Sequence, residues 1–339
     1  MRKLTLTAAA IVTISTGLMA FTASSTGSTA MAVSKGNGPV ASSTFKTIKA
    51  VPKVQNLADQ FQDLTRDTKW QQKQKINLQF NNYHSQGMVR VGDLFYMSSV
   101  QLNETPVKYN HPQGGYDRTP GKGIGHLFVF DKQGKLVKDI RLGEGDIYHP
   151  GGIDFDGKNI WVPVAQYRPN SESIIYKVDP KTMKATEAFR VHDHIGGLVR
   201  EGQSGNIIGN SWGSRKFYEW NQNGQQLLVK KNSSFFIDYQ DGHYIGQGKM
   251  ILSGITEYPN PAAGNGKPYE LGGLSLVDMK TLKTVREVPV TEFSPDGHVI
   301  TRDPVFVEKA GQQMRMYAVP DDDHGSLLVY ETTNLSNKQ

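Results

Sequence analysis

Three columns of residues recur along this sequence at one shared set of spacings, and that repetition restricts the fold more than any other feature. Aligning YHSQGMVRVGDLFYM, YHPGGIDFDGKNIWV, HIGGLVREGQSGNI and YQDGHYIGQGKMI puts His84, His149, His194 and Tyr239 in one column, 65, 45 and 45 residues apart. Gly87, Gly152, Gly197 and Gly242 form a second column with the same intervals. A third, at the end of the following strand, holds Gln101, Gln166, Ser211, Thr256 and Asp321, spaced 65, 45, 45 and 65. A fifth unit, RDPVFVEKAGQQMRMY, fits the register less closely, with Asp303 and Pro304 nearest the histidine position. Each unit continues into LFVF, IIYKV, KFYEW, LSLV or LLVY, then into a turn led by Asp131, Asp179, Asn221, Asp278 or Glu331. Short apolar runs divided by Gly, Asp and Asn are strands and turns. Four strands in a repeat of about 45 residues make a propeller blade. The fold expected is therefore all-β: a five-bladed β-propeller.

The fifth unit runs out of chain after LLVYE. Its missing outer strand is expected from KINLQF, residues 75–80, where Ile76, Leu78 and Phe80 alternate onto one face. Such an N-terminal strand would close the ring and cover an open sheet edge. Ahead of it, NLADQFQDLT carries Leu57, Phe61 and Leu64 at helical spacing behind a capping Asn56, which predicts a short helix over 56–66 against the outer wall. The propeller domain is then 56–339, and residues 33–55 read as a flexible tether.

Residues 1–32 have the layout of a secretory signal: Arg2 and Lys3, an apolar stretch, then an Ala30-Met31-Ala32 cleavage site. A retained anchor is the competing reading, against which the stretch is short and diluted by Thr and Ser. A secreted protein, extracellular or held at the cell wall and free of the membrane after cleavage, is expected. With no Cys in the sequence, stability must come from a packed core. Removing 1–32 takes away two cations and no acid, so the formal charge falls from +6 to +4. That mild excess suits an anionic cell wall. No basic block with interleaved aromatics is found, so a nucleic-acid partner is not expected. The expected partner is a small-molecule or cell-wall ligand, and the expected state a monomer.

Strands alternate in direction within a blade, so first-strand starts and second-to-third connections share one face. The insertions 103–123 and 258–269 are both connections of that kind and rise from the same face, where function concentrates. His84, His149 and His194 could converge there on a divalent metal ion, a transition metal in preference to calcium, with Asp303 or Asp321 completing the shell. The bland alternative is that they only bond neighbouring blades. Asp303 or Asp321 would be the base and Tyr239 a donor to developing negative charge. Gln101, Gln166, Ser211, Trp212 and Thr256 would contact substrate, and Arg118, with Arg168 near it, would hold a carboxylate or phosphate. The run Asp321–His324 suits either a hard-cation site or a solvated turn. Gly209-Asn210-Ser211-Trp212-Gly213 matches a nucleophile elbow, but a strand is expected after it where that motif needs a helix. The glycine column serves close backbone approach at the axis.

At HPGGIDFDGKNIWVPVA and HIGGL the sequence resembles an uncharacterised bacterial family of exported β-propeller proteins, over nearly the whole mature chain. More distantly, in architecture, it is similar to the strictosidine-synthase and gluconolactonase-like propeller superfamily. That second resemblance implies an axial divalent ion and ester or lactone hydrolysis, although histidines stand here where those proteins present acids and amides. Two functions follow as expectations: a metal-assisted hydrolase of a small extracellular molecule, or a non-catalytic glycan- or peptide-binding module.

Overall fold

Antiparallel pairing sorts the strands into five blade sheets, each continuous in sequence except one, and a separate two-stranded hairpin. The computed structural model describes residues 55–263 and 266–333. Blade one comprises His84–Val91, Leu94–Glu104, Lys122–Asp131 and Leu136–Leu142. Blade two has a broken innermost strand, Ile147–Pro150 and Asp154–Phe155, followed by Ile160–Gln166, Ser173–Asp179 and Lys184–Val191. Blade three runs through Ile195–Arg200, Ile207–Ser211, Lys216–Trp220 and Gln226–Lys231, and blade four through Asp238–Gly246, Lys249–Tyr258, Tyr269–Asp278 and Lys283–Val290. Blade five takes Val305–Ala310, Gln313–Ala318 and Ser326–Thr332 from the C-terminal end, and its outer strand, Trp70–Asn77, from the N-terminal end. The chain is a five-bladed β-propeller closed by an N-terminal strand.

Closure differs from expectation in register. The strand occupies 70–77, pairing Trp70 with Thr332 through Asn77 with Ser326, where 75–80 was expected. The reason is burial. Leu78 and Phe80 leave the ladder and fill the seam between blades five and one, where Phe80 lies 5.0 Å from the Phe128 ring. The paired segment WQQKQKIN is mostly exposed, so its polar sequence hid it.

The helix spans Leu57–Gln62, four residues short of the expected end, with the Asn56 side chain accepting from the Asp59 N–H at 2.9 Å. Phe61 and Leu64 are fully buried, and with Trp70 they pack into the seam between blades four and five rather than on an outer wall. The expected signal (1–32) and, apart from Gln55, the expected tether (33–55) lie outside the described residues. No described helix is long and apolar enough to cross a membrane.

Strand alternation gives every blade two apolar faces, and each packs on a neighbour. Five apolar clusters among the described residues correspond to the five seams between blades. At the axis the glycine column lets backbones touch. A Cβ on Gly87 would stand 2.6 Å from the Gly152 Cα, and one on Gly152 2.5 Å from the Gln240 carbonyl. Gly152 and Gly197 form a parallel bridge, so blades two and three are joined through main chain.

A carboxylate completes the hub. Asp241, in the innermost strand of blade four, accepts N–H bonds from Met88 (2.7 Å), Ile153 (3.1 Å), Gly242 (2.9 Å) and Val305 (3.2 Å). Blades one, two, four and five thus share one side chain. Asp154 acts likewise, accepting from the Arg200 N–H at 2.9 Å and, more loosely, from that of Tyr244 at 3.4 Å. Burial pushes the Asp154 carboxyl up to about 8, against the pull of these N–H bonds.

Three outcomes are expected. Asp241→Asn, although isosteric, turns an amide NH₂ toward backbone donors and should cost about 3 kcal/mol or more of stability. A urea midpoint equal to wild type would remove Asp241 from the hub. An acid whose folded pKa is raised contributes stability that is complete below its unfolded value and lost as pH rises through the folded value. Wild type should therefore lose stability relative to Asp154→Asn between about pH 4 and pH 8, and parallel melting profiles would contradict that. A chain beginning at Gln55 should fold, whereas one beginning at Leu78, without the closing strand, should be insoluble or melt well below it. Equal melting of the two would refute end closure.

Candidate functional site

Because the glycines bring the innermost strands together, the residues three positions before them converge on one face. His84 begins the first strand of blade one, His149 lies in that of blade two, and His194 immediately precedes that of blade three. Their ring centroids are 6.4 Å (His84 to His149) and 5.7 Å (His149 to His194) apart, along the floor of a cavity of about 720 Å³.

The three rings differ in charge and bonding. The His194 Nδ1–H donates to the Gln166 carbonyl at 2.8 Å, which leaves Nε2 with its lone pair. Burial holds His194 down to about 4. His149 is held well below the usual histidine range by burial and then by its two histidine neighbours. Neither of its ring nitrogens has a hydrogen-bond partner, and the Tyr167 ring stacks on it at 4.0 Å. His84 is raised. Burial alone would lower it, but the bond from Nδ1 to Asp322 (2.9 Å) and the charges of Asp303 and Asp322 outweigh that.

The acids come from blade five. Asp303, 2% exposed, precedes its first strand, and Asp322 lies in the connection between its second and third. Arg302 ties them together, donating to Asp303 at 2.8 Å, to Asp322 at 3.2 Å and to the Pro320 carbonyl at 3.1 Å. Burial pushes Asp303 up to about 7, against His84 and Arg302. Asp322 is held low: burial works against it, but His84 and Arg302 prevail. Among the described residues, the metal-ligating side chains that converge are His84, Asp303 and Asp322, with ligand atoms within 4.8 Å of one another.

Backbone strain fixes that corner. Tyr83, Asp323 and His324 have φ of 50°, 41° and 51°, and the Asp323 N–H donates to the Tyr83 carbonyl at 3.0 Å. The fully buried Asn82 joins the two turns, accepting from the Gly325 N–H and donating to the Asp321 carbonyl. Left-handed non-glycine residues persist where surrounding bonds over-determine them.

Of the residues singled out in the sequence, His84, His149, His194, Ser211, Trp212, Tyr239, Thr256 and Asp303 line the cavity. The Tyr239 hydroxyl is buried without a partner. Trp212 stands edge-on to His194 at 4.7 Å, and a single 3₁₀ turn, Trp212–Ser214, follows Ser211 before the next strand. Thr256 donates to the Phe236 carbonyl. Asp321, Gln101 and Gln166 do not line the cavity. Asp321 accepts from the Ser294 hydroxyl at 2.6 Å, and the Gln166 side chain accepts from Arg168 at 2.8 Å. Arg118 reaches the rim on a hairpin, Lys108–Gln113 and Tyr116–Arg118, with its guanidinium 4.8 Å from the Trp212 ring centroid. Arg168 lies over Tyr116 at 3.5 Å, so the blade-one hairpin is held to blades two and three by two cation–π contacts.

Tyr167 and Arg302 were missed, and Asp322 was named only within the run Asp321–His324, although a signal for Tyr167 and Asp322 existed. The residues after the third column include Tyr167, Trp212, Glu257 and Asp322. Tyr167, Trp212 and Glu257 line the cavity, and Asp322 joins the cluster. In blades three and four both the column residue and its successor line the cavity, whereas in blades two and five only the successor reaches the site.

Solved structures match this chain at low similarity. A chain of hydrazine synthase from Kuenenia stuttgartiensis is 10% identical with a TM-score of 0.37, covering 74% of this chain and 60% of its own. The chain thus spans less than two thirds of that protein's length. A member of the DUF4221 family from Bacteroides vulgatus is 9% identical with a TM-score of 0.38, over 80% of this chain and 99% of its own. A luciferin-regenerating enzyme is 9% identical with a TM-score of 0.41, over 78% and 96%. The blade assignment rests on the strand pairing of this chain itself. No curated protein matches it in sequence. A family model does, over residues 47–335, and the chain belongs to that family of unknown function, DUF6454.

Proposed function

We propose that the cavity is the active site of a hydrolase acting on a small molecule outside the cell, with a divalent metal ion held by His84, Asp303 and Asp322. The observation that carries this reading is the convergence of those three side chains, Asp303 buried and the other two half-buried, at the edge of the cavity that His84 and Asp303 line. The donor set fits an ion. One imidazole and two carboxylates suit zinc, manganese or iron, whereas calcium takes six to eight oxygens. A cation would also relieve Asp303, whose buried carboxylate is otherwise driven toward protonation.

A bound ion would supply a water of lowered pKa and a polarised carbonyl. The chain's own groups supply the rest. His194, neutral and with Nε2 open, is the proton acceptor. The Tyr239 hydroxyl donates to developing negative charge. Arg302 orients both carboxylates. His149 and Tyr167 form an apolar stack that excludes water from the floor.

A second reading, a glycan- or peptide-binding face at the cell wall, is favoured by the rim. Phe235 is 70% exposed beneath Arg215, whose guanidinium lies 4.4 Å from its ring centroid, and Tyr258 and Tyr269 are exposed on the blade-four insertion. Aromatic faces flanked by polar groups are suited to sugars and peptides.

Elemental analysis of protein purified without chelator should find close to one transition metal per chain. After chelation, zinc or manganese at about a hundred times its Kd should add about 2.7 kcal/mol of stability, and Asp303→Asn and His84→Ala should each abolish the gain. Absence of both metal and stabilisation would overturn the hydrolase reading. A glycan or peptide ligand whose affinity survived both substitutions would then support the second.

A further inference from the structure

We propose that the face opposite the cavity carries a separate binding site for small, multiply charged oxyanions, set between blades two and three. The turn joining the first and second strands of blade two (156–159), the turn joining the third and fourth strands of blade three (221–225) and the end of that blade's first strand meet there. In an up-and-down blade these ends point away from the second-to-third connections that frame the cavity. They enclose a cleft of about 520 Å³.

The cleft is cationic. Lys158, Lys177 and Arg200 line it against one acid, Asp156. That acid is committed inward. Its Oδ1 accepts from the Lys158 and Asn159 N–H groups at 2.8 and 2.7 Å, and its Oδ2 from the Trp161 indole N–H at 2.7 Å. Arg200 Nε lies 3.4 Å from that same Oδ2 and is buried, yet makes no hydrogen bond. Neither ammonium group is in an ion pair with a described carboxylate. Two ammonium groups therefore face the cleft without an ion-pair partner among the described residues, beside a guanidinium that shares the Asp156 carboxylate with three N–H donors.

The cations are also positioned. Lys177 lies opposite Trp161 in the blade-two ladder, its ammonium 5.5 Å from the indole centroid. Arg200 approaches the same ring at 5.8 Å, and a Cβ on Gly205 would stand 2.8 Å from its Nη2, so the turn after it fits closely over the guanidinium. Asn159, Gln222 and Asn223 add amide groups at the wall, suited to hydroxyls. Two ammonium groups and a guanidinium in a cleft of this size match a sugar phosphate or a dicarboxylate.

The intact, chelator-treated protein should be titrated calorimetrically at low salt with glucose 6-phosphate and, separately, with succinate. Saturable binding of at least one, with a Kd of about a millimolar or tighter, is expected, and it should weaken as salt is raised. Stronger binding of the first assigns the site to phosphate esters, and stronger binding of the second to carboxylates. Lys158→Gln combined with Lys177→Gln should weaken binding about tenfold or more at an unchanged melting temperature. Asp303→Asn, in the opposite cavity, should leave it as in wild type. No binding of either anion would overturn the proposal. So would binding that survives the double lysine substitution or disappears with Asp303→Asn.

Discussion

The Asp241 carboxylate gathers main-chain N–H groups from four of the five blades. Each innermost strand has a neighbour on only one side of its own sheet, so donors at the axis would otherwise face one another. A single acceptor with two oxygens satisfies four of them, where a neutral amide could not. The glycine column is the steric counterpart of that bond set, because the strands can reach a shared side chain only if no Cβ intervenes. The histidines are placed by the same arrangement. They stand just before the glycines on strands that the hub draws together, so floor and hub are parts of one construction.

Much of the fold was legible because propeller blades repeat their chemistry as well as their shape. His149 and His194 could be found from His84 by counting, and the glycines likewise. Closure was legible in kind but displaced in register. Ile76, Leu78 and Phe80 alternate as a strand would, yet the last two are buried by a seam between blades. The strand itself, WQQKQKIN, pairs on one side only and lies open to solvent, and so carries no apolar pattern.

The site was less legible than the fold. Counting identifies equivalent positions but not the direction of their side chains, so Asp321 was marked when its neighbour Asp322 meets His84. Arg302 lies in the unit that fits the repeat least, where alignment pointed to its neighbour Asp303 instead. The pairing of Asp322 with His84 depends on two left-handed turns clasped by Asn82, a contact between residues from opposite ends of the described chain. Charge explains the result. Arg302 and His84 both bond Asp322 and hold it low, whereas burial pushes Asp303 up in spite of them.

The ring is completed by residues far apart in sequence, since Trp70 pairs with Thr332. The strand synthesised first is therefore the last to find its partner, and the helix bound into the adjacent seam waits with it. Blades one to four can each collapse from contiguous sequence, whereas blade five requires both ends of the chain to meet after the others are made. Folding of this architecture has a late step whose entropy cost is that of a loop enclosing nearly the whole domain. Until then the chain carries an unpaired edge, Ser326–Thr332, of strongly apolar sequence, and its exposure to other molecules is set by how soon the two ends join.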